Sequence, residues 1–180
     1  LKIVWGLLPV LLCTTLFAQY DYSDNVPPSQ NPPAGLLPSE VPQFVTIGWD
    51  DNARSGDADA NGDAMRWIVN FMKNKTNADG TPARFCFFSN TTYFSNGAVD
   101  GPNLVKRIHN EAYLDGHEIG NHTHSHNHGS AFSVAQWVAD IGLCSEWLAK
   151  PVPPADAQPW ETNVNEGAGV PANQIYGFRT

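Results

Sequence analysis

Between residues 44 and 178 short apolar stretches alternate with amphipathic ones, and no other feature limits the fold as much. Phe44 to Trp49 reads as a short strand that runs straight into Asp50-Asp51. From Asp63 the apolar residues Met65, Ile68, Val69 and Met72 recur at helical spacing, and Asp79-Gly80-Thr81-Pro82 is expected to stop that helix. Arg84 to Ser89 is apolar on both faces, as an interior strand is. Pro102 to Leu114 forms a second predicted helix closed by Asp115-Gly116, and Glu118-Ile119-Gly120 a third strand. Ser133 to Ala149 carries Val134, Trp137, Val138, Ile141 and Trp147 on a third helix, which Pro151 ends. After a loop over 151–173, rich in Pro and Asn, Gln174 to Phe178 is the expected fourth strand. Strand and helix in strict alternation predict a parallel α/β fold of about four βα units. Right-handed crossovers then bring the carboxyl ends of all strands to one face.

Three groups of reactive side chains fall at those ends: Asp50-Asp51 after the first strand, a histidine run after the third, and Arg179 after the fourth. All six histidines lie between His109 and His128. Histidines four residues apart can share one side of a helical turn, and neutral imidazole is a common ligand for zinc. His122 with His126 has that spacing, and so does His124 with His128, so spacing leaves two registers open, beside a merely solvated histidine-rich loop. A third ligand is expected from the pair Asp50-Asp51, because acids at a strand end are expensive to bury unless they are used.

The formal net charge of -8 and the scattered Lys and Arg residues exclude nucleic acid as a partner and favour a neutral or cationic substrate. Residues 1–18 read as a secretory signal peptide, one basic residue followed by an apolar stretch, cut after Ala18; the mature protein is then secreted and free of the membrane. Residues 19–43, with Pro-Pro pairs at 27 and 32, form a linker, and 44–180 the folded domain. Cleavage removes Cys13 and leaves Cys86 and Cys144, a pair expected to form a disulfide in an oxidising compartment. Asn74 and Asn90 open glycosylation acceptor triplets; the triplet at Asn121 falls inside the histidine run and is read as coincidence. Asp57 to Asp63 imitates the start of a calcium loop, but Ile68 occupies the position that needs a bidentate Glu, so it is read as a polar loop before a helix.

Taken together, these residues resemble the polysaccharide deacetylases, carbohydrate esterases that include chitin deacetylases. Gly48-Trp49-Asp50-Asp51-Asn52 is similar to that family's first motif, usually Thr-Phe-Asp-Asp-Gly, and Gly120-Asn121-His122-Thr123-His124-Ser125-His126 to its second, His-Ser/Thr-x-x-His. Gly177-Phe178-Arg179-Thr180 looks like the opening of the third. Gly48 and Asn52 depart from the usual Thr and Gly. The resemblance implies a partial (β/α) barrel and selects His122 and His126, with Asp51, as ligands of Zn2+ or another divalent transition metal such as Co2+. It also implies Asp50 as catalytic base, Arg179 as the residue that holds it, and an N-acetylated polysaccharide such as chitin as substrate. On this reading the chain is an N-terminal fragment, and the family's histidine general acid belongs to later motifs.

Overall fold

A computed structural model describes residues 31–41, 45–51, 65–96 and 98–180. The expected signal peptide and the Asp57 to Asp63 loop lie outside these residues. Within the first of two compact units, residues 31–41 hold 3-10 turns at Pro33–Gly35 and Pro38–Glu40. Glu40 folds back there so that its carboxylate accepts from the Leu37 backbone N–H at 2.7 Å.

The second unit begins at Val45 and is built on a parallel three-stranded sheet in the order β1 (Gly48–Asp50), β2 (Cys86–Ser89), β3 (Glu118–Asn121). Its helices are α1 (Met65–Met72), α2 (Pro102–Leu114) and α3 (Val134–Ala149). No helix among the described residues is long and apolar enough to cross a membrane. The first strand is shorter than expected and shifted towards the acids, so Asp50 is its last residue and only Asp51 lies beyond it. Helix α1 ends at Met72, before the predicted stop. The Asp79 to Pro82 segment instead makes a tight turn, with Thr81 N–H donating to the Asp79 carboxylate at 2.9 Å.

Side-chain alternation divides the sheet into two faces. Phe87 and Ile119 are register partners, both buried, and join α1, α2 and α3 in one core that includes Val69, Ile108 and Leu148. Each fully buried aliphatic side chain of this kind contributes about 1.5–3 kcal/mol. On the opposite face the ring of Phe88 crosses three glycines. A Cβ at Gly120 would stand 2.6 Å from it, at Gly177 2.9 Å and at Gly48 3.1 Å, so these positions are small because the ring needs the space.

Helix α2 ends as its sequence predicts. Gly116 takes φ +87°, its N–H reaches Tyr113 O, and His117 N–H reaches Ala112 O, a Schellman closure that aims the chain into β3. Helix α3 starts from a reciprocal cap, with Ser133 Oγ accepting from Gln136 N–H and the Gln136 side chain accepting from Ser133 N–H at 2.8 Å.

Three further expectations need correction. The fourth strand does not form: residues 172–174 make a 3-10 turn, and 177–179 meet β3 through a single parallel bridge, Asn121 to Phe178. Cys86 and Cys144 are free thiols. Cys144 Sγ donates to Ser89 O on the helix-covered face, whereas Cys86 shares the Phe88 face about 10 Å back along β2, beyond the roughly 7 Å that a disulfide spans. Asn90 is fully buried and cannot accept a glycan, whereas Asn74 is exposed. Of the apolar residues read on α3, Val134 and Val138 are 79% and 67% exposed. A 16-residue helix is about 24 Å long while a four-residue strand covers about 13 Å, so the first half of α3 overhangs the sheet.

Candidate metal centre

Strand β3 delivers the histidine run to the carboxyl edge of the sheet, and Asn121 fixes how it leaves. The Asn121 backbone pairs with residues 177–179, accepting Arg179 N–H at 3.1 Å and donating to Gly177 O at 2.8 Å. Its side chain accepts Thr123 N–H at 2.9 Å and donates to Ile141 O and Ser145 Oγ of α3, each at 2.8 Å. Five hydrogen bonds thus join β3, the loop, α3 and the 177–179 segment at one buried residue.

Beyond Asn121 the chain is not helical. Thr123 and His126 adopt left-handed backbone, φ +67° and +53°, and every second residue is tied down. His122 N–H donates to Ser89 O, the Asn90 side-chain amide donates to His122 O, Thr92 N–H donates to His124 O, and His126 N–H donates to Thr123 Oγ1. Left-handed conformations at non-glycine residues cost on the order of 1–3 kcal/mol each and persist only where neighbours hold them. The same conformation recurs at Asp51, φ +62°.

The outcome is that His122 and His126 do converge, though through a tethered loop and not through a helical turn, with ring centroids 5.0 Å apart. Asp51 Oδ1 lies 3.2 Å from His126 Nε2 and 3.6 Å from His122 Nε2, and one ligand atom from each residue lies within 4.8 Å of the others. Donors held at about 2.0–2.2 Å around one tetrahedral ion stand roughly 3.3–3.6 Å apart, so the spacing and the Asp-His-His chemistry fit a divalent transition metal. His122 Nδ1–H donates to Arg179 O at 2.8 Å, which fixes the tautomer and turns the lone pair of Nε2 towards Asp51.

The alternative register is not assembled. His124 points away, hydrogen-bonding with Thr91 Oγ1 at 2.9 Å and stacking on Trp147, and burial lowers its pKa below the ordinary imidazole value. His128 lines an adjacent cavity. The two remaining histidines are structural. His117 Nδ1 accepts Phe85 N–H at 3.0 Å between Phe85 and Phe87. His109 is fully buried, donates through Nδ1–H to Val105 O, accepts from Ser89 Oγ at 2.6 Å, and has its pKa pushed down to about 4 by that burial.

Asp50 stands beside this centre with Arg179 Nη1 donating to its Oδ1 at 2.9 Å. The guanidinium lies 4.5 Å over the Phe88 ring, in the space left by Gly48. Both partners are partly exposed, so the pair adds only about 0.2–1 kcal/mol of stability; its effect is to orient the carboxylate. Trp137 is one of the apolar residues that the sequence places on α3. The structure puts it half-buried in the wall of a cavity of about 450 Å³ that His122, His126 and Thr180 also line.

No curated protein matches the chain. Residues 77–158, from the turn before β2 through α3 and including both converging histidines, match the family model described as Polysaccharide deacetylase.

Proposed function

We propose that the protein removes N-acetyl groups from a secreted or cell-wall polysaccharide such as chitin, releasing acetate. One observation carries the proposal: Asp51 Oδ1 lies against both His122 Nε2 and His126 Nε2, while the neighbouring Asp50 is held separately by Arg179. Two adjacent carboxylates are thereby given different tasks. Asp51, His122 and His126 would hold Zn2+ or Co2+. Such an ion lowers the pKa of bound water towards about 7 and polarises a carbonyl. Asp50, oriented by Arg179, receives the proton of the attacking water, a contribution of about 10² to 10⁴ in rate for a well-placed base. Arg179 holds the Asp50 carboxylate in place, and the N–H groups of His122, Thr123, Ser125 and His126 are spent on hydrogen bonds that hold the ligands still.

The strand order supports the arc of a (β/α) barrel, since β2, β3 and then the 177–179 segment are each added on the same side. Export follows from the leader read at residues 1–18. Acetyl groups on oxygen, as in acetylated xylan, are the second substrate class that the same chemistry serves. Titration with Zn2+ of Asp51→Ala, His122→Ala and His126→Ala should show loss of tight binding, and His124→Ala should retain it. Acetate release from a chitin oligomer should disappear in Asp50→Asn. Equal losses of metal from His124→Ala and His122→Ala would overturn the ligand set, and full activity of Asp50→Asn the base.

A further inference from the structure

The cavity beside the candidate metal centre is larger than an acetyl group requires. Its volume of about 450 Å³ falls among the roughly 300–1,000 Å³ of pockets that take ring-sized ligands. Asn127, His128 and Ser130 contribute polar groups to its lining, and among the described residues Trp137 contributes an indole wall. That indole is placed by its neighbours rather than by the core. It lies across Gly129, where a Cβ would come within 1.9 Å of Cζ2, and it meets Phe132 edge-on at 5.4 Å and 63°. Trp137 belongs to the part of α3 that overhangs the sheet, where the flanking Val134 and Val138 are bare. Trp137 is partly exposed, and it is neither a member of the main core nor among the side chains packed against that core.

We infer that Trp137 is a sugar-stacking platform, binding the pyranose next to the one whose acetyl group is removed. The inference rests on the proposed deacetylase reading, because it takes the polymer to run past the Asp51-His122-His126 cluster. A pyranose ring is flat and two-sided: its axial C–H groups form an apolar face that covers an indole, and its equatorial hydroxyls form a rim that suits the amide, imidazole and hydroxyl groups of the lining. A wholly apolar ligand would leave that rim unsatisfied, and a fully solvated ion would make no use of the ring. The platform therefore favours oligomers over single sugars, because only an oligomer has a second pyranose to lay on Trp137 while the first stands at the reacting position.

Calorimetric titration of the full chain, loaded with Zn2+, against N-acetylchitopentaose and acetylated xylopentaose tests this. Trp137→Ala should weaken the oligosaccharide that binds by roughly tenfold, and Trp137→Phe by much less, because a smaller aromatic face remains. Gly129→Ala should weaken it too, since the new methyl displaces an indole that is still present. Trp160→Ala, at a tryptophan 72% exposed elsewhere on the surface, should not. Zinc stoichiometry of each variant reports that the fold is intact. Affinity unchanged in both Trp137→Ala and Gly129→Ala, or no binding of either oligosaccharide by the wild type, overturns the platform. Acetate release measured alongside separates the two readings: release with no dependence of affinity on Trp137 leaves the deacetylase standing and removes the platform. Binding that depends on Trp137 without release does the reverse.

Discussion

Replacing Asn121 by Leu tests how the candidate site is held. The substitution keeps the volume of the side chain and the backbone bonds to Gly177 and Arg179, and removes three side-chain hydrogen bonds: from Thr123 N–H, to Ile141 O and to Ser145 Oγ. At about 1 kcal/mol net for each neutral bond, the direct loss is roughly 3 kcal/mol. Asn121 is only 3% exposed, so the abandoned Thr123 N–H cannot turn to bulk water; leaving such a buried donor unpaired adds about 1–3 kcal/mol. The left-handed backbone at Thr123 also loses the group that stabilises it, and the loop is free to relax. Urea unfolding of the metal-free protein should therefore show Asn121→Leu less stable by about 4–6 kcal/mol, a large share of the 5–15 kcal/mol typical of a domain. Zn2+ affinity should fall as well, because His122 follows directly and His126 depends on Thr123 Oγ1. A stability change below about 1 kcal/mol, with unchanged Zn2+ affinity, would refute the view that Asn121 joins the loop to α3.

Further outcomes follow from other contacts. Burial holds the His109 pKa at about 4 against 6.5 for a free imidazole, so between pH 6.5 and 4 the unfolded chain takes up a proton that the folded chain refuses. Its contribution of roughly 3 kcal/mol is complete above pH 6.5 and lost as the pH falls to 4, and His109→Phe should flatten that part of a stability–pH profile by about one proton. Gly116→Ala should destabilise by more than about 1 kcal/mol in thermal melts, because φ +87° disfavours a side chain and its Cβ would stand 2.8 Å from Arg84 Nε. Arg179→Lys keeps the carbonyl that orients His122 but removes the planar group lying on Phe88. Zn2+ affinity should therefore hold while kcat for acetate release drops by about tenfold, and parallel losses of both would contradict that division.

Much of this architecture is legible in the sequence where local rules and packing agree. Helix α2 runs from Pro102 to Leu114 as its pattern predicts, because Pro at its first turn and Asp115-Gly116 at its end are backbone signals independent of tertiary context. The reactive groups at the strand ends, Asp50-Asp51 and the histidines, follow from parallel topology alone. Periodicity fails where an element is not covered along its length: Val134 and Val138 have helical spacing but overhang the sheet. It fails again in the histidine loop, whose convergence depends on left-handed backbone at Thr123 and His126, a conformation no spacing rule signals for Thr or His. Choosing His122 and His126 over His124 and His128 therefore needed the motif resemblance. The Cys86–Cys144 expectation failed because it ignored which face of β2 each thiol occupies. Asn90 shows the same weakness in motif reading, since a triplet says nothing of burial.

Arg179 has two attachments at the candidate site, and they belong to different parts of it: its carbonyl receives His122 Nδ1–H, while its guanidinium holds Asp50. The peptide carrying both is pinned in turn by Asn121. Transplanting the site into another scaffold would therefore require 120–126 and 177–179 to be moved as one block, with the spacing between their backbones preserved. Lengthening the chain between Gly177 and Arg179 by a single residue would tilt an imidazole and release a carboxylate in the same step. For an engineer this makes the segment a poor place to tune one half of the chemistry, and a sensitive place to switch both off together.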